Sequence, residues 1–122
     1  MRARIALTAP LFAVGAIGIA GMLRGDPGSV SYARDVQPIF DRSCTSCHPI
    51  SYPYLDLRRG RSYAQLVGVP AATNMAFERV LPGRPDLSYL LTHPPDPSNA
   101  ALLSTSDRVL IKRWIASGAP NN

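Results

Sequence analysis

Cys44-Thr45-Ser46-Cys47-His48 decides how the rest of this 122-residue chain is read. Two thiols separated by two residues, with an imidazole directly after the second, form the attachment signature of c-type haem. The thiols add across the two vinyl groups of the porphyrin as thioethers, and the adjoining His48 is then the proximal ligand beneath the iron. Other chemistries use parts of the same run. A thiol redox couple on a thioredoxin-like fold needs strands and helices alternating around the pair, and the flanking sequence has no such alternation. Structural zinc needs four ligands, whereas beyond the run the chain has no further Cys and only His93 as a second His. A plain disulfide leaves the histidine unexplained.

The N-terminus sets the compartment. Arg2 and Arg4 precede an uncharged stretch from Ile5 to Leu23, and Arg24, Gly25 and Asp26 follow it. A positive segment followed by an apolar one is the layout of an export signal. Two fates are compatible with residues 1–24. Gly18 and Ala20 suit cleavage by a signal peptidase. Alternatively, 19 residues at about 1.5 Å each reach roughly 28 Å, close to a bilayer core, which favours an uncleaved transmembrane anchor with its N-terminus inside. Gly15, Gly18 and Gly21 recur every third position and permit close contact with another membrane helix, or are merely permissive in a leader. Either fate puts the thiols outside the cytoplasm, in soluble periplasm or on the periplasmic side of a bacterial inner membrane.

Residues 25–30 read as a linker and 31–122 as one small domain. A chain this short commonly needs a staple, and a porphyrin supplies one as an apolar plate for short helices. The expected fold class is all-α. Asp35 is expected to cap a first helix carrying Val36, Ile39 and Phe40, with Pro38 in its first turn. Ser104 and Asp107 resemble a capping box for a closing helix with Leu110, Ile111, Trp114 and Ile115 on its apolar face, stopped by Gly118 and Pro120. Asp86 is expected to cap a short helix from Leu87 to Thr92 after the Pro82-Gly83 turn, and one more short helix is expected near Tyr63, Leu66 and Val67. Trp114 is expected in the core, near the haem or the first helix.

In this order the chain resembles the monohaem cytochrome c domains of the planctomycete-type family. The resemblance rests on Val36-Gln37-Pro38-Ile39-Phe40 ahead of the Cys44 to His48 run, then Leu55-Asp56-Leu57, Val80-Leu81-Pro82-Gly83, Ser88-Tyr89-Leu90-Leu91, and Ile111-Lys112-Arg113-Trp114-Ile115 closing on Gly118-Ala119. It implies a small cytochrome c fold of short helices around one covalently bound haem, here preceded by an N-terminal apolar helix. In such domains the distal iron ligand is usually a methionine in a Met-Pro-Pro run before the last helix. Here that run reads His93-Pro94-Pro95. The alternative distal ligand is Met75, the one methionine of the domain, and an open sixth position is the third possibility. Two imidazole ligands favour ferric iron relative to His and Met ligation.

A six-coordinate haem leaves no place for a substrate, so the expected role is single-electron transfer between redox partner proteins, as a carrier or as a subunit of a respiratory or photosynthetic membrane complex. The competing expectation is a peroxidase-like or gas-binding haem protein with an open distal side. No catalytic triad, phosphate loop or paired-carboxylate site is visible. The net charge of +5 does not point to nucleic acid: without Arg2, Arg4 and Arg24 the chain keeps 10 basic and 8 acidic side chains, and no interleaved aromatic and basic pattern is present. Arg58, Arg59, Arg61, Arg79 and Arg84 are candidates to pair with haem propionates; the first three are otherwise candidates to steer an acidic partner.

Overall fold

Ser31 starts the fold. Its hydroxyl accepts the Arg34 N–H at 3.2 Å, and its own N–H donates to Asp35 Oδ2 at 2.8 Å, a reciprocal cap for donors that a helix start leaves without intrahelical acceptors. The computed structural model describes residues 28–92 and 103–122. A π-helical turn, Tyr32–Val36, runs directly into α1, Gln37–Ser43. The wide winding lies just ahead of Pro38, whose ring would meet the carbonyl of residue 34 in a regular α-helix. In the looser turn the Val36 and Gln37 N–H groups reach back five residues, to the Ser31 and Tyr32 carbonyls. The first helical winding therefore begins before Asp35, which takes the Ser31 N–H from inside the first turn instead of standing as the cap ahead of it.

Asn122 completes this helix start from the far end of the sequence. Its backbone oxygen accepts the Ala33 N–H at 2.9 Å and the Ser31 hydroxyl at 3.0 Å, and its side-chain oxygen accepts the Tyr32 N–H at 2.8 Å. Val30, the last residue of the expected linker, is buried in the core.

Among the described residues the chain is all-α. After α1 come α2, Ser62–Leu66, a 3₁₀ turn, Pro85–Leu87, then α3, Tyr89–Thr92, and α4, Thr105–Ala116. Isolated bridges join Val67 to Val80 and Pro70 to Glu78. The expected capping box of α4 is present on its Ser side, the Ser104 hydroxyl accepting the Asp107 N–H at 3.0 Å. The Asp107 carboxylate turns to Arg42 at 3.2 Å, tying α4 to α1. The expected helix from Leu87 to Thr92 is divided at Ser88, whose hydroxyl donates to the Arg84 carbonyl at 2.9 Å and accepts the Leu81 N–H at 3.0 Å. Asp86 does not cap it, because the Arg84 guanidinium engages both carboxylate oxygens.

The core forms where the π turn meets α4. Ile111, Trp114 and Ile115 are fully buried, and Leu110 beside them is half-buried. The Trp114 ring lies 5.0 Å from Tyr32 and 6.4 Å from Tyr63, centre to centre, and Tyr32 lies 6.4 Å from Phe40. Each polar tip is satisfied: Trp114 Nε1 donates to the Pro120 carbonyl at 2.9 Å and the Tyr63 hydroxyl to the Ala119 carbonyl at 2.8 Å. Both acceptors follow α4, where Gly118 takes φ 103° and Ala119 φ 50° to reverse the chain. Trp114 thus packs on the first helical segment.

A buried polar set joins α1 to α2. The Ser62 hydroxyl bonds both the Tyr32 hydroxyl and Gln37 Oε1, while Gln37 Nε2 donates to Asp41 at 2.8 Å and to the Leu57 carbonyl at 3.0 Å. Burial pushes the Tyr32 hydroxyl up to about 12. Asp56, also buried, receives two bonds from the Arg58 guanidinium at 2.9 and 2.7 Å, and the Arg61 guanidinium stands 3.7 Å away. Hydrogen bonding to Arg58 holds the Asp56 carboxyl down at about 2.

Trp114→Ala is expected to remove about 3–5 kcal/mol of unfolding free energy, measured by urea titration with far-ultraviolet circular dichroism. Val109→Ala on the exposed side of α4 should cost no more than about 0.5 kcal/mol. Asp56 has a lower pKa folded than unfolded, so its contribution is complete above about pH 4 and is lost as pH falls towards 2. Asp56→Asn should lower the melting temperature at pH 7 and flatten its fall between pH 4 and 2.

Candidate functional site

The motif closes the first helix. The Cys44 N–H donates to the Phe40 carbonyl at 2.9 Å, after which the chain tightens: the Cys47 and His48 N–H groups both donate to the Cys44 carbonyl, at 3.2 and 2.9 Å. The Ser51 and Tyr52 N–H groups then share the Cys47 carbonyl at 2.9 Å each. These bonds hold both thiols and the imidazole on one compact turn. Cys44 and Cys47 are free thiols, not a disulfide, and all three motif side chains are half-buried. The His48 ring lies 5.2 Å from Tyr52 and 6.0 Å from Tyr54, and its Nδ1 is buried.

The thiols are placed unlike those of a redox couple. A reactive Cys commonly sits at a helix N-terminus, where positive partial charge stabilises the thiolate. Cys44 stands at the C-terminal end of α1, where the partial charge is negative. Burial first, and the neighbouring Cys47 second, push its thiol up to about 11. Among the described residues no three His, Cys, Asp or Glu side chains group so as to hold a bare metal ion. An iron held in a porphyrin asks less of the chain, one ligand on each face.

Cys44 and His48 border a cleft with about 190 Å³ of interior space. Leu55, Leu57, Leu66, Leu90 and Leu91 supply apolar wall, and Leu103 closes the same surface from the start of the last segment. Cys47 does not line it. Arg79 and Arg108 bring the only formal charges to the described lining. An apolar wall with the Cys44 thiol and the His48 imidazole at one edge and guanidinium groups elsewhere suits the chemistry of an apolar ring bearing carboxylates.

Of the five expected propionate partners, Arg79 alone lines the cleft. Arg58 and Arg61 face Asp56, Arg59 faces Asp41 at 3.1 Å, and Arg84 faces Asp86 at 2.9 Å. Arg108 belongs to the site without having been nominated by the sequence: it lies on the closing helix, and its guanidinium donates to the Leu91 carbonyl at 3.3 Å. Only the fold brings these residues together. Met75 is 77% exposed and is not part of the cleft lining. His93 lies outside the described residues, as do residues 1–24. No helix among the described residues is long and apolar enough to cross a membrane.

In the cofactor-free folded chain, Cys44 is expected to react with iodoacetamide at pH 8 at least about tenfold more slowly than a small thiol of ordinary pKa, since loss of thiolate outweighs its greater nucleophilicity. Peptide mass mapping of the labelled protein reads this, and fast labelling at pH 8 would instead mark an activated redox thiol. No family model, curated protein or solved structure matches the chain.

Proposed function

We propose that this protein is a periplasm-facing monohaem c-type cytochrome, with Cys44 and Cys47 as the thioether positions, His48 as proximal ligand and His93 as distal ligand. The supporting observation is the Cys44 to His48 turn opening onto an apolar cleft whose wall also includes Leu91 and Leu103. Met75 stands exposed off the cleft, which supports His93 as the second ligand. Pro94 and Pro95 restrict the backbone next to it.

Bound haem supplies one-electron chemistry at its iron. The chain's part is to fix and shield that group. The main-chain bonds of the motif turn orient His48, and the leucines of the cleft would exclude water from the bound group. Were His48 and His93 both to hold the iron, no position would be left for a substrate, and the role would be electron transfer between redox partner proteins. Residues 5–23 support tethering to the inner membrane, as a carrier or as a subunit of a respiratory or photosynthetic complex; cleavage within residues 1–24 would make it a soluble periplasmic carrier.

Protein matured in a host with cytochrome assembly machinery should be coloured, retain haem through denaturing electrophoresis, and show a low-spin spectrum in both oxidation states. Cys44→Ala with Cys47→Ala should abolish covalent retention. The weak red band of ferric iron bound to methionine sulfur should be absent; its presence would assign Met75. A high-spin reduced form that binds carbon monoxide rapidly would favour the open-sided haem enzyme or gas-binding reading. His93→Ala should convert the low-spin protein to that state.

A further inference from the structure

The arginines of the described residues divide by what faces them. Arg34, Arg42, Arg58, Arg59, Arg61 and Arg84 each have a carboxylate within 4.0 Å. Arg79, Arg108 and Arg113 have none among the described residues, and of these three only Arg79 and Arg108 line the cleft. Among the described residues Arg79 is held by backbone, its two terminal nitrogens donating to the Gln65 carbonyl at 2.8 Å and the Tyr54 carbonyl at 3.0 Å. Arg108 is held by the Leu91 carbonyl at 3.3 Å. A guanidinium has five N–H donors, so these contacts fix each side chain and leave donors for another acceptor. The remaining titratable groups of the described lining are Cys44, His48, Tyr54 and Tyr89, and no carboxylate is among them.

Two cations with no carboxylate partner among the described residues, set against leucine walls, form a recognition pattern for a ligand that is apolar across its face and anionic at its edge. A carboxylate entering this cleft gains charge-assisted, bidentate hydrogen bonds from groups whose side-chain entropy is already restricted by their carbonyl contacts. Burial also pulls the Arg79 guanidinium below its usual range, which an arriving anion would reverse.

We infer that Arg79 and Arg108 form a carboxylate clamp, each holding one acidic substituent of the haem and keeping it ionised. The inference rests on the haem reading and deepens it: from the five arginines eligible in sequence it selects one, and it adds a residue from the closing helix. Both are positioning residues. Ionised propionates stabilise ferric iron, so the midpoint potential of such a protein falls with rising pH around the propionate pKa. The clamp holds that fall to acid pH.

The test is a spectrally monitored redox titration of the matured holoprotein across pH 4–9. In Arg79→Gln/Arg108→Gln the pH at which the potential begins to fall should rise by about one unit or more relative to the parent. Arg108→Gln alone, which loses a single carbonyl contact, should shift it the same way by less and serves if the double variant does not fold. Lysine at both positions should restore most of the parental behaviour. Arg113→Gln removes an equal charge from a residue off the cleft, bonded to the Gly28 carbonyl, and should leave the inflection in place. A coloured parent whose inflection is unmoved by the glutamine variants overturns the clamp alone. A colourless parent with both thiols open to alkylation overturns the haem reading and the clamp with it.

Discussion

The contact between Trp114 and Tyr32 is the constraint on which the rest of the structure depends. It brings the last helix onto the first helical turn, so residues more than eighty positions apart form one core. Every chemically interesting residue is then placed by reference to it. α1 leaves this contact with Ile39 and Phe40 pointing inward and delivers Cys44 at its far end, while α4 runs back carrying Arg108 to the same cleft. The two rings owe their fixed position to satisfied polar tips as much as to apolar area. The Trp114 indole donates to the Pro120 carbonyl in the chain reversal after α4, and the Tyr32 hydroxyl is bonded to the Ser62 hydroxyl. Left unpaired in the core, either group would oppose the packing that buries it.

The same economy of local bonds shapes the site. Two carbonyls, those of Cys44 and Cys47, each accept two N–H groups and wind the motif into a turn, to which the Thr45 hydroxyl adds a bond to the Asp41 carbonyl at 3.1 Å. The basic side chains show a complementary logic. Those outside the cleft near the motif are neutralised by Asp41 and Asp56, and the cationic cluster of Arg58, Arg59 and Arg61 is more nearly balanced than its sequence implies. Among the described residues, the two arginines that line the cleft, Arg79 and Arg108, have no carboxylate partner.

Legibility in the sequence followed the range of the interactions. The α4 start was readable because Ser104 and Asp107 are three residues apart and their bond is local, and Trp114 was readable as core because apolar residues recur around it at helical spacing. All-α character followed from the same periodicity. The first helix was misjudged at its beginning because a π turn and an acceptor from Asn122 define it, and neither has a local pattern. Asp86 was misassigned because an arginine two residues away competes for its carboxylate. Within the site, the Cys44 to His48 motif was fully visible, whereas Arg79 was one of five equivalent possibilities and Arg108 gave no signal, since helix α4 alone does not reveal what its fourth residue faces.

The π turn carries a consequence for how this sequence tolerates insertion and deletion. A regular helix advances about 100° per residue, and the widened winding at Tyr32–Val36 sets the phase between the part of the helix gripping Trp114 and the part ending at Cys44. Losing one residue there would rotate everything downstream by about that angle, swinging Cys44 away from the cleft while leaving every side chain of the motif intact. The angular aim of the end that carries Cys44 is thus encoded in the number of residues ahead of Pro38, much as a vernier sets a dial.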